Sequence, residues 1–592
     1  MSTVDELLRD ALAAFKLGQQ ESALALYQRA LASDAANFTA LYTSGAILLQ
    51  AEKAAEAEVF LRSAILVRPD AAEAHNNLGL ALARLGQLAQ AITSFREALR
   101  IRPHYTNALL NLGNAFRRAE LWPDAIEVYE SAIALSPHDA DIHYNLAGAL
   151  ESLGDLEKAI ISYRAAIAKR ANFPQAYNNL GNALTAAGKF DEALTSYAAA
   201  ISQQRNYAEA YANRASARFA LRHFALAKED CDTALKLNPA MAVAYCNRSA
   251  ILRETGDIAR AIEDCEAALA INPDYLDAAW NLALLRLLIG DWIRGWDGFE
   301  HRFRKSLNRI QKPMPHIPDW AGEPIAGKRV LIYCEQGLGD TIQFIRFAPV
   351  LQKLDAQIVI KTQKSLIPII CAMGLDARDD VLELNFDYKV ALLSIPRLLE
   401  MSSIAPVSGY LNADPDKVAM WKKLLPSSGV RVGICWQGNP SASVDSGRSI
   451  PLAQFESLAE MDQIHLISLQ KGPGLEQTTM FAHRNRLITP ERIDEHGAFT
   501  DSAAIIQNLD LVVTSDTSVA HLAGALGKPV WIALKYVPDW RWLLNRSDSV
   551  WYSSARLYRQ THLDDWGPVF DKITSDLKRM CHERRHHCVS GD

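Results

Sequence analysis

The chain has 592 residues, too many for a single hydrophobic core, so we expect two or more domains. Hydrophobic residues make up 49% of it and charged residues 22%, a balance typical of globular proteins rather than of disordered chains. The formal net charge of -6 is small for this length and argues against binding to nucleic acid or to an anionic membrane.

The ends of the chain and its cysteines bear on location and on metal binding. The opening MSTVDELLRD is polar and acidic, so we expect no secretory signal, and no apolar run reaches the roughly 18 residues of a membrane span. The eight cysteines form no C-x-x-C pair, which favours a reducing, cytoplasmic location. The C-terminal tail groups Cys581, His582, His586, His587 and Cys588. Their spacing matches no common zinc site, so we predict no metal, while zinc binding by this tail stays open.

The first half of the chain repeats every 34 residues. We place the starts of successive units at Val4, Phe38, Ala72, Thr106, Ala140, Pro174, Ala208, Ala242 and Leu276. A 34-residue period of paired helices is the signature of tetratricopeptide (TPR) repeats, which stack into a superhelix. We therefore assign residues 1–306 to an all-α TPR superhelix of about nine repeats. In the ninth unit Gly295 and Arg302 replace two recurring alanines, so we interpret this unit as the cap that meets the next domain.

One asparagine recurs in seven consecutive units, at Asn77, Asn111, Asn145, Asn179, Asn213, Asn247 and Asn281. Stacking aligns equivalent positions, so these side chains form a ladder whose amide donors and acceptors can pair with the backbone of an extended peptide. The alternative is that asparagine is frequent at this position and merely solvated. The row resembles the asparagine ladder of protein O-GlcNAc transferases, which holds substrate peptides. That resemblance implies that these asparagines bind an acceptor peptide.

The pattern changes after a proline-rich stretch at 307–327, which predicts a stiff connector. Short apolar runs then alternate with helical stretches, in one series within 328–428 and a second within 429–592. We predict strands at Arg329–Cys334, Gln357–Lys361, Asp387–Leu393, Val430–Trp436, Ile464–Leu469, Leu509–Ser515 and Pro529–Leu534. This alternation predicts two α/β domains with parallel sheets, facing one cleft, the second ending in a C-terminal helix. Ligands of such sheets lie at the carboxyl ends of the strands.

Two loops at predicted strand ends carry candidate site residues. In the first, EQGLGD, Gly337 and Gly339 allow tight turns and the approach of a ligand to the backbone. Asp340 follows at the start of a predicted helix, over TIQFIRFAPVLQKL. It is a candidate catalytic residue, but aspartate is also a favoured helix cap and could have no other role.

The second loop, TSDTSVAHLAGALGKP, joins a strand to a helix. The helix N-terminus and the neighbouring hydroxyls of Thr517 and Ser518 suit a phosphate or diphosphate. Asp516 could belong to this site or only cap the helix. His521, one turn in, could bind a ligand or be a packed core histidine.

These two loops resemble those of heptosyltransferase-type glycosyltransferases of the GT-B fold, from GLGD to S-D-T-S-x-x-H-L-A-x-A-L-G-K-P. The resemblance implies that Asp340 is the catalytic base and that Asp516, Thr517, Ser518 and His521 hold the donor. It also implies a basic residue in the loop QGNPSASVDSGRSIP, for which Arg448 is the candidate. The segment YVPDWRWLL replaces the family's usual G-P-T type segment, so the sugar need not be a heptose.

The joined TPR and GT-B layout resembles bacterial protein glycosyltransferases, including enzymes that modify flagellin. We therefore predict a metal-independent, inverting glycosyltransferase that moves a sugar from a nucleotide-sugar to Ser or Thr of a protein, with flagellin as a candidate acceptor. The nucleotide-sugar is a co-substrate, and no cofactor is predicted. Two alternatives stay open: a TPR scaffold or chaperone with a non-catalytic GT-B domain, and a saccharide-directed glycosyltransferase docked through its repeats.

Overall fold

The computed structural model describes residues 3–305, 312–440, 445, 447–495 and 499–589. The chain divides into two compact units, Met1–Pro239 and Ala240–Asp592. The first unit is all helical in its described part, and the second contains further helices followed by two parallel sheets. None of the described helices combines the length and the hydropathy that crossing a bilayer requires.

Paired helices build the first unit. They are α1 Val4–Lys16, α2 Gln20–Ser33, α3 Phe38–Gln50, α4 Ala54–Val67, α5 Ala72–Arg84, α6 Leu88–Ile101, α7 Thr106–Arg118, α8 Trp122–Leu135, α9 Ala140–Leu153, α10 Leu156–Lys169, α11 Pro174–Ala186, α12 Phe190–Gln203, α13 Ala208–Ala220 and α14 Phe224–Leu237. The first helix of every pair begins at the residue predicted from the period, so that prediction is confirmed. Small buried residues allow the close packing, as at Ala125 and Ala132, both 0% exposed.

The last repeats belong to the second unit. Their helices are α15 Ala242–Thr255, α16 Ile258–Ile271, α17 Leu276–Leu288, α18 Trp292–Phe299 and α19 His301–Lys305. The ninth repeat is distorted, because its second helix ends after eight residues and the short α19 follows. Gly295 allows α18 to lie against α17, since a Cβ at this position would come within 2.6 Å of Leu287 Cδ2.

The first sheet contains four parallel strands. They are β1 Arg329–Tyr333, β2 Gln357–Lys361, β3 Asp376–Arg378 and β4 Tyr388–Ala391, in the order β3-β2-β1-β4. In register, Val330 of β1 lies beside Ile358 of β2 and Tyr388 of β4. The helices of this region are α20 Leu338–Phe344, α21 Ala348–Lys353, α22 Ile367–Cys371, α23 Ile395–Leu398 and α24 Pro415–Leu424.

The second sheet contains six parallel strands. They are β5 Val430–Cys435, β6 Ile464–Ser468, β7 Leu487–Ile488, β8 Leu511–Ser515, β9 Val530–Leu534 and β10 Ala555–Arg559, in the order β10-β9-β8-β5-β6-β7. Its helices are α25 Glu456–Ala459, α26 Thr500–Gln507, α27 Ser518–Ala525 and the C-terminal α28 Gly567–Val589. The strand order reverses direction between β5 and β8, as in doubly wound sheets, where the crevice at this point is the usual place for a ligand. In the first sheet the corresponding reversal lies between β1 and β4.

The predicted parallel sheets are confirmed, and each of the seven predicted strands is present. Three short strands, β3, β7 and β10, were not predicted. The helix predicted over TIQFIRFAPVLQKL begins earlier, at Leu338, and it is broken by a 3₁₀ turn at Ile345–Phe347. Pro349 explains the break, because at the second position of α21 it has no N–H to continue the helical ladder.

Candidate functional site

A cavity of about 610 Å³ lies at the carboxyl ends of β1, β5, β6 and β8. Its lining includes every residue that the sequence predicts for catalysis or donor binding: Gly337, Gly339, Asp340, Arg448, Asp516, Thr517, Ser518 and His521. The two predicted loops, which are more than 170 residues apart in sequence, thus meet at one site. This is the position expected for a ligand of two doubly wound sheets.

The carboxylate of Asp340 accepts two hydrogen bonds in this site. Asp340 is the third residue of α20, where its Oδ2 accepts the N–H of Gly337, the N-cap residue, at 3.0 Å; it thus helps to cap the helix from within its first turn but is not the N-cap itself. Its Oδ1 accepts a hydrogen bond from Arg541 Nη2. The side chain is 23% exposed, so the carboxylate both caps the helix and faces the cavity.

Arg541 is the main residue that sequence reasoning missed. Its Nε donates to Gln343 Oε1 at 2.8 Å and its Nη1 to Asp539 Oδ1 at 2.7 Å, while Nη2 reaches Asp340. Burial alone would lower the pKa of Arg541, but the carboxylates of Asp539 and Asp340 raise it above its ordinary value. The residue belongs to YVPDWRWLL, the segment in which the sequence departs from the heptosyltransferase pattern, and that departure was the available signal.

Asp516 is buried, with 7% of its surface exposed, and it does not cap α27. The N-cap residue is Thr517, whose side chain makes no capping hydrogen bond. The alternative that Asp516 is only a cap is therefore wrong, because the helix begins one residue later than that reading requires. Burial and the nearby Asp539 raise the pKa of Asp516 to about 6, against the opposing influence of Arg448.

We expect Asp516→Asn to raise the free energy of unfolding by about 2–3 kcal/mol at pH 8 and by far less at pH 4. Because the pKa of Asp516 is raised in the folded state, the wild-type protein loses stability as pH rises toward 6 and the buried carboxyl ionises. Asparagine stays neutral throughout. Urea unfolding followed by tryptophan fluorescence measures the second unit, since eleven of the twelve tryptophans lie in it.

The matched control for this prediction is Asp462→Asn, because the Asp462 side chain is 95% exposed in its pair with Arg486. Its substitution should change stability little at either pH. An equal effect of Asp516→Asn at pH 4 and pH 8 would contradict the prediction.

His521 both packs and lines the cavity, so the two readings of this residue are not exclusive. Burial, reinforced by Arg541, lowers its pKa to about 3, so the ring is neutral at physiological pH. It stacks on Trp542 at 5.4 Å between ring centroids, and its Nδ1 lies 3.0 Å from the Tyr552 hydroxyl. Gly339 fits against this ring, since an added Cβ would lie 3.2 Å from His521 Cδ2.

The remaining polar residues come from the loops after β5 and β6. Arg448 pairs with Asp445 at 3.4 Å between Nε and Oδ1 and lines the cavity as predicted. Gln470 was not predicted; its Oε1 accepts the Gln437 N–H at 3.0 Å, and its Nε2 donates to the Pro473 carbonyl at 2.8 Å. Gln470 therefore holds the loop after β6 against the loop after β5. The general rule that sites lie at the carboxyl ends of parallel strands could have pointed to it.

The end of the repeat array contacts the Asp340 loop through a buried arginine. Arg302 Nη2 donates to Glu335 Oε1 at 2.9 Å, and both side chains are only 1% exposed. Arg302 also pairs with Glu300 at 2.6 Å and donates to Ser394 Oγ at 2.6 Å. Since Glu335 precedes the glycine-rich turn, the alanine-to-arginine change in the ninth repeat has a structural role at the site.

The Arg541 loop is also held by the last repeats. Lys535 pairs with Glu254 of α15 at 3.0 Å, and Trp540 packs edge-on against Trp296 of α18 at 5.5 Å. Burial alone would raise the pKa of Glu254, but Lys535 and Arg253 hold it below its ordinary value. The Asp340 loop and the Arg541 loop are thus both braced by helices of the eighth and ninth repeats.

The ladder asparagines are partly used within the array itself. In the first unit Nδ2 donates to a side chain 35 residues earlier in four cases: Asn77 to Tyr42, Asn111 to Asn76, Asn179 to Tyr144 and Asn213 to Asn178. In the second unit Asn281 lies 3.5 Å from Cys246 Sγ in the same relation. All seven asparagines remain partly exposed. Five of the seven therefore link adjacent repeats, and all seven still offer amide groups at the surface.

No group of three or more histidine, cysteine, aspartate or glutamate side chains is placed to hold a metal ion among the described residues. The side chains of His586, His587 and Cys588 lie outside the described part of the chain. The hypothesis of a zinc site in the C-terminal tail therefore stays a hypothesis.

Comparison with known proteins identifies the repeats. Family models described as tetratricopeptide repeat match residues 70–138, 110–177, 208–241 and 242–275, and one described as TPR repeat matches 181–221. The repeats are therefore tetratricopeptide repeats, a type of structure that indicates binding to a protein or peptide partner. A curated relative is Protein FlbA of Caulobacter vibrioides, 27% identical over 326 residues, which are 50% of this chain. The chain spans about half (54%) of the length of that protein.

Three solved structures show a partial likeness to this chain. MamA is 21% identical, with a TM-score of 0.28, over 28% of this chain and 92% of its own. YrrB, described as a TPR protein with an unusual peptide-binding site, is 24% identical, with a TM-score of 0.28, over 31% of this chain and 95% of its own. A tetratricopeptide repeat protein from Parabacteroides merdae is 19% identical, with a TM-score of 0.36, over 42% of this chain and 98% of its own.

Proposed function

We propose that this chain is a glycosyltransferase of the GT-B type, which transfers a sugar from a nucleotide-sugar to a Ser or Thr hydroxyl of a protein held by the TPR repeats. The observation that carries the proposal is the meeting of both family-like loops in one cavity of about 610 Å³. A volume of this size accommodates a small-molecule ligand. Two doubly wound sheets with their carboxyl ends at this cavity are the arrangement that such an enzyme requires.

The reaction needs one displacement at the anomeric carbon. The acceptor oxygen attacks this carbon, the bond from the carbon to the donor phosphate oxygen breaks, and the hydroxyl proton passes to Asp340. The negative charge that develops on the leaving phosphate is stabilised by Arg541, by Arg448 and by the N-terminus of α27. One displacement inverts the anomeric centre. The proposal gives the task of charge neutralisation to these groups rather than to an ion.

The acceptor is assigned to the asparagine ladder. Its amides are partly exposed in every repeat that carries one, and the backbone of an extended chain offers N–H and C=O groups to pair with them. Flagellin is the first candidate, because TPR-linked enzymes of this type include enzymes that modify flagellin. Binding through the peptide backbone would select an extended segment, and the side chains beside the ladder would select its sequence.

The test combines intact-mass spectrometry with a ladder variant. Incubation of the chain with flagellin and a nucleotide-sugar should add the mass of one or more sugar units to the flagellin. Asn145→Ala should then raise the acceptor KM about 2- to 10-fold, the value of one lost hydrogen bond. Asn145 is the best position for this test, because the residue 35 positions earlier is Leu110, whose side chain cannot accept an inter-repeat hydrogen bond.

The control is Asn206→Ala, the same change at an exposed position between α12 and α13, which should leave the acceptor KM unchanged. A mass increase with an unaltered KM for Asn145→Ala would favour a role of the ladder in joining the repeats alone. Sugar transfer to free saccharides without modification of any protein would support the saccharide-directed alternative. If no donor gives any transfer, the result would support the alternative of a TPR scaffold or chaperone with a non-catalytic GT-B domain.

A further inference from the structure

The guanidinium of Arg541 has three hydrogen-bond partners, Asp539, Gln343 and Asp340, and only the last of them can be exchanged without moving the loop. Asp539 is two residues away in the same turn, and its Oδ1 accepts both Arg541 Nη1 at 2.7 Å and the Arg541 backbone N–H at 3.1 Å. Gln343 holds Nε at 2.8 Å and is fully buried in α20. These two contacts fix the position of the guanidinium. They leave Nη2 as the edge that meets the cavity.

The partner of Nη2 is the carboxylate that the proposed reaction needs as a base. Asp340 Oδ1 accepts from Nη2, while Asp340 Oδ2 keeps the Gly337 N–H at 3.0 Å. If the bond to Nη2 were exchanged, Asp340 would therefore stay in place through its other oxygen. In the empty site both oxygens of Asp340 therefore already accept an N–H, Oδ1 from Arg541 and Oδ2 from Gly337.

A nucleotide phosphate that enters the cavity meets three carboxylates, those of Asp340, Asp516 and Asp539. Arg448 offsets part of this negative charge, and the phosphate binds more strongly if a second cation turns to it. Phosphate oxygens accept the N–H groups of arginine in the same geometry as carboxylate oxygens do, so the phosphate can replace Asp340 at Nη2 without any movement of Asp539 or Gln343.

We propose that Arg541 binds the nucleotide phosphate of the donor and that, in the empty site, it neutralises Asp340. This inference rests on the proposed function and deepens it. The phosphate and Asp340 compete for one edge of the guanidinium, so arrival of the donor releases the base. The enzyme then binds its donor before the acceptor hydroxyl can be deprotonated, and Asp340 is an active base only when a donor is present.

The experiment measures nucleotide binding by isothermal titration calorimetry with the full-length chain. The probes are CMP, UDP, GDP and ADP, which cover donors with one phosphate and with two. Arg541→Gln should weaken binding of the preferred nucleotide about 10- to 100-fold, as expected for loss of a charged hydrogen bond. Asp340→Asn should strengthen it about 3- to 10-fold, because the competing charge is gone. In the Arg541→Gln background the same substitution should give a smaller gain, which separates competition for Nη2 from simple removal of a repelling charge.

The matched control is Arg546→Gln, because Arg546 lies five residues further on, pairs with Asp548 at 2.5 Å and does not line the cavity. It should bind nucleotide like the wild type. Equal or weaker binding by Asp340→Asn would overturn the inference, even while sugar transfer by the wild type leaves the proposed function standing. Failure of the wild type to bind any of the four probes would overturn both. If Arg541→Gln does not fold, the Asp340→Asn result decides.

Discussion

Asp340→Asn is expected to slow the proposed sugar transfer by about 10²- to 10⁴-fold, the usual contribution of a general base. Asparagine keeps an oxygen that can accept the Gly337 N–H, so the cap of α20 is preserved while the proton acceptor is lost. Nucleotide binding should not weaken. The measurement is the initial rate of sugar incorporation at saturating donor and acceptor, together with the titration of nucleotide described above.

The control for this prediction is Asp414→Asn. Asp414 also caps a helix, accepting the Asp416 N–H at 2.8 Å at the start of α24, but it is exposed and does not line the cavity. Its substitution should leave the transfer rate within about twofold of the wild type, because surface changes of this kind have small effects. A transfer rate for Asp340→Asn that matches that of Asp414→Asn would contradict the proposed catalytic role of Asp340.

Arg302→Met is expected to lower the free energy of unfolding of the second unit by about 3–5 kcal/mol at pH 8. The substitution leaves Glu335 buried, with 1% of its side chain exposed, and without its cation. Burial already raises the pKa of Glu335 even with Arg302 beside it. Protonation of Glu335 would relieve the unpaired charge, so the loss should be smaller at pH 5 than at pH 8.

Two further variants separate the ion pair from ordinary packing. Arg397→Met removes an exposed pair with Asp297, whose side chains are 42% and 64% exposed, and it should cost at most about 1 kcal/mol. Arg302→Met combined with Glu335→Gln should be less destabilising than Arg302→Met alone, because no buried charge remains. A loss for Arg302→Met that is the same at both pH values would contradict the role assigned to Glu335.

The repeat half of the fold could be predicted almost to the residue. A fixed period of 34 residues places every helix start once one is known, and buried alanines such as Ala159 and Ala166 mark the packing positions. The sheets were predicted less completely. Strands with long apolar runs were found, but β7 has only two residues and β3 three, too short to give a hydrophobic pattern.

The residues of the candidate site that belong to local sequence motifs could be predicted. The contacts between residues distant in sequence could not. The glycines around Asp340 and the polar run after β8 are local signals, because both follow predicted strands. The partner of Asp340, by contrast, lies 201 residues further along the chain. Nothing in the tryptophan-rich segment around Arg541 indicates that its guanidinium reaches the first loop, since this contact depends on the packing of two sheets.

The boundary between the two compact units has a practical consequence for attempts to redirect this chain to a new target protein. The eighth and ninth repeats brace the Arg541 loop through Glu254 and the Asp340 loop through Arg302. A recognition cassette taken from another repeat protein should therefore end at Pro239, after the seventh repeat, and not at the last helix of the array. Grafts that replace residues beyond Ala240 would remove these braces and disturb the cavity along with the partner specificity.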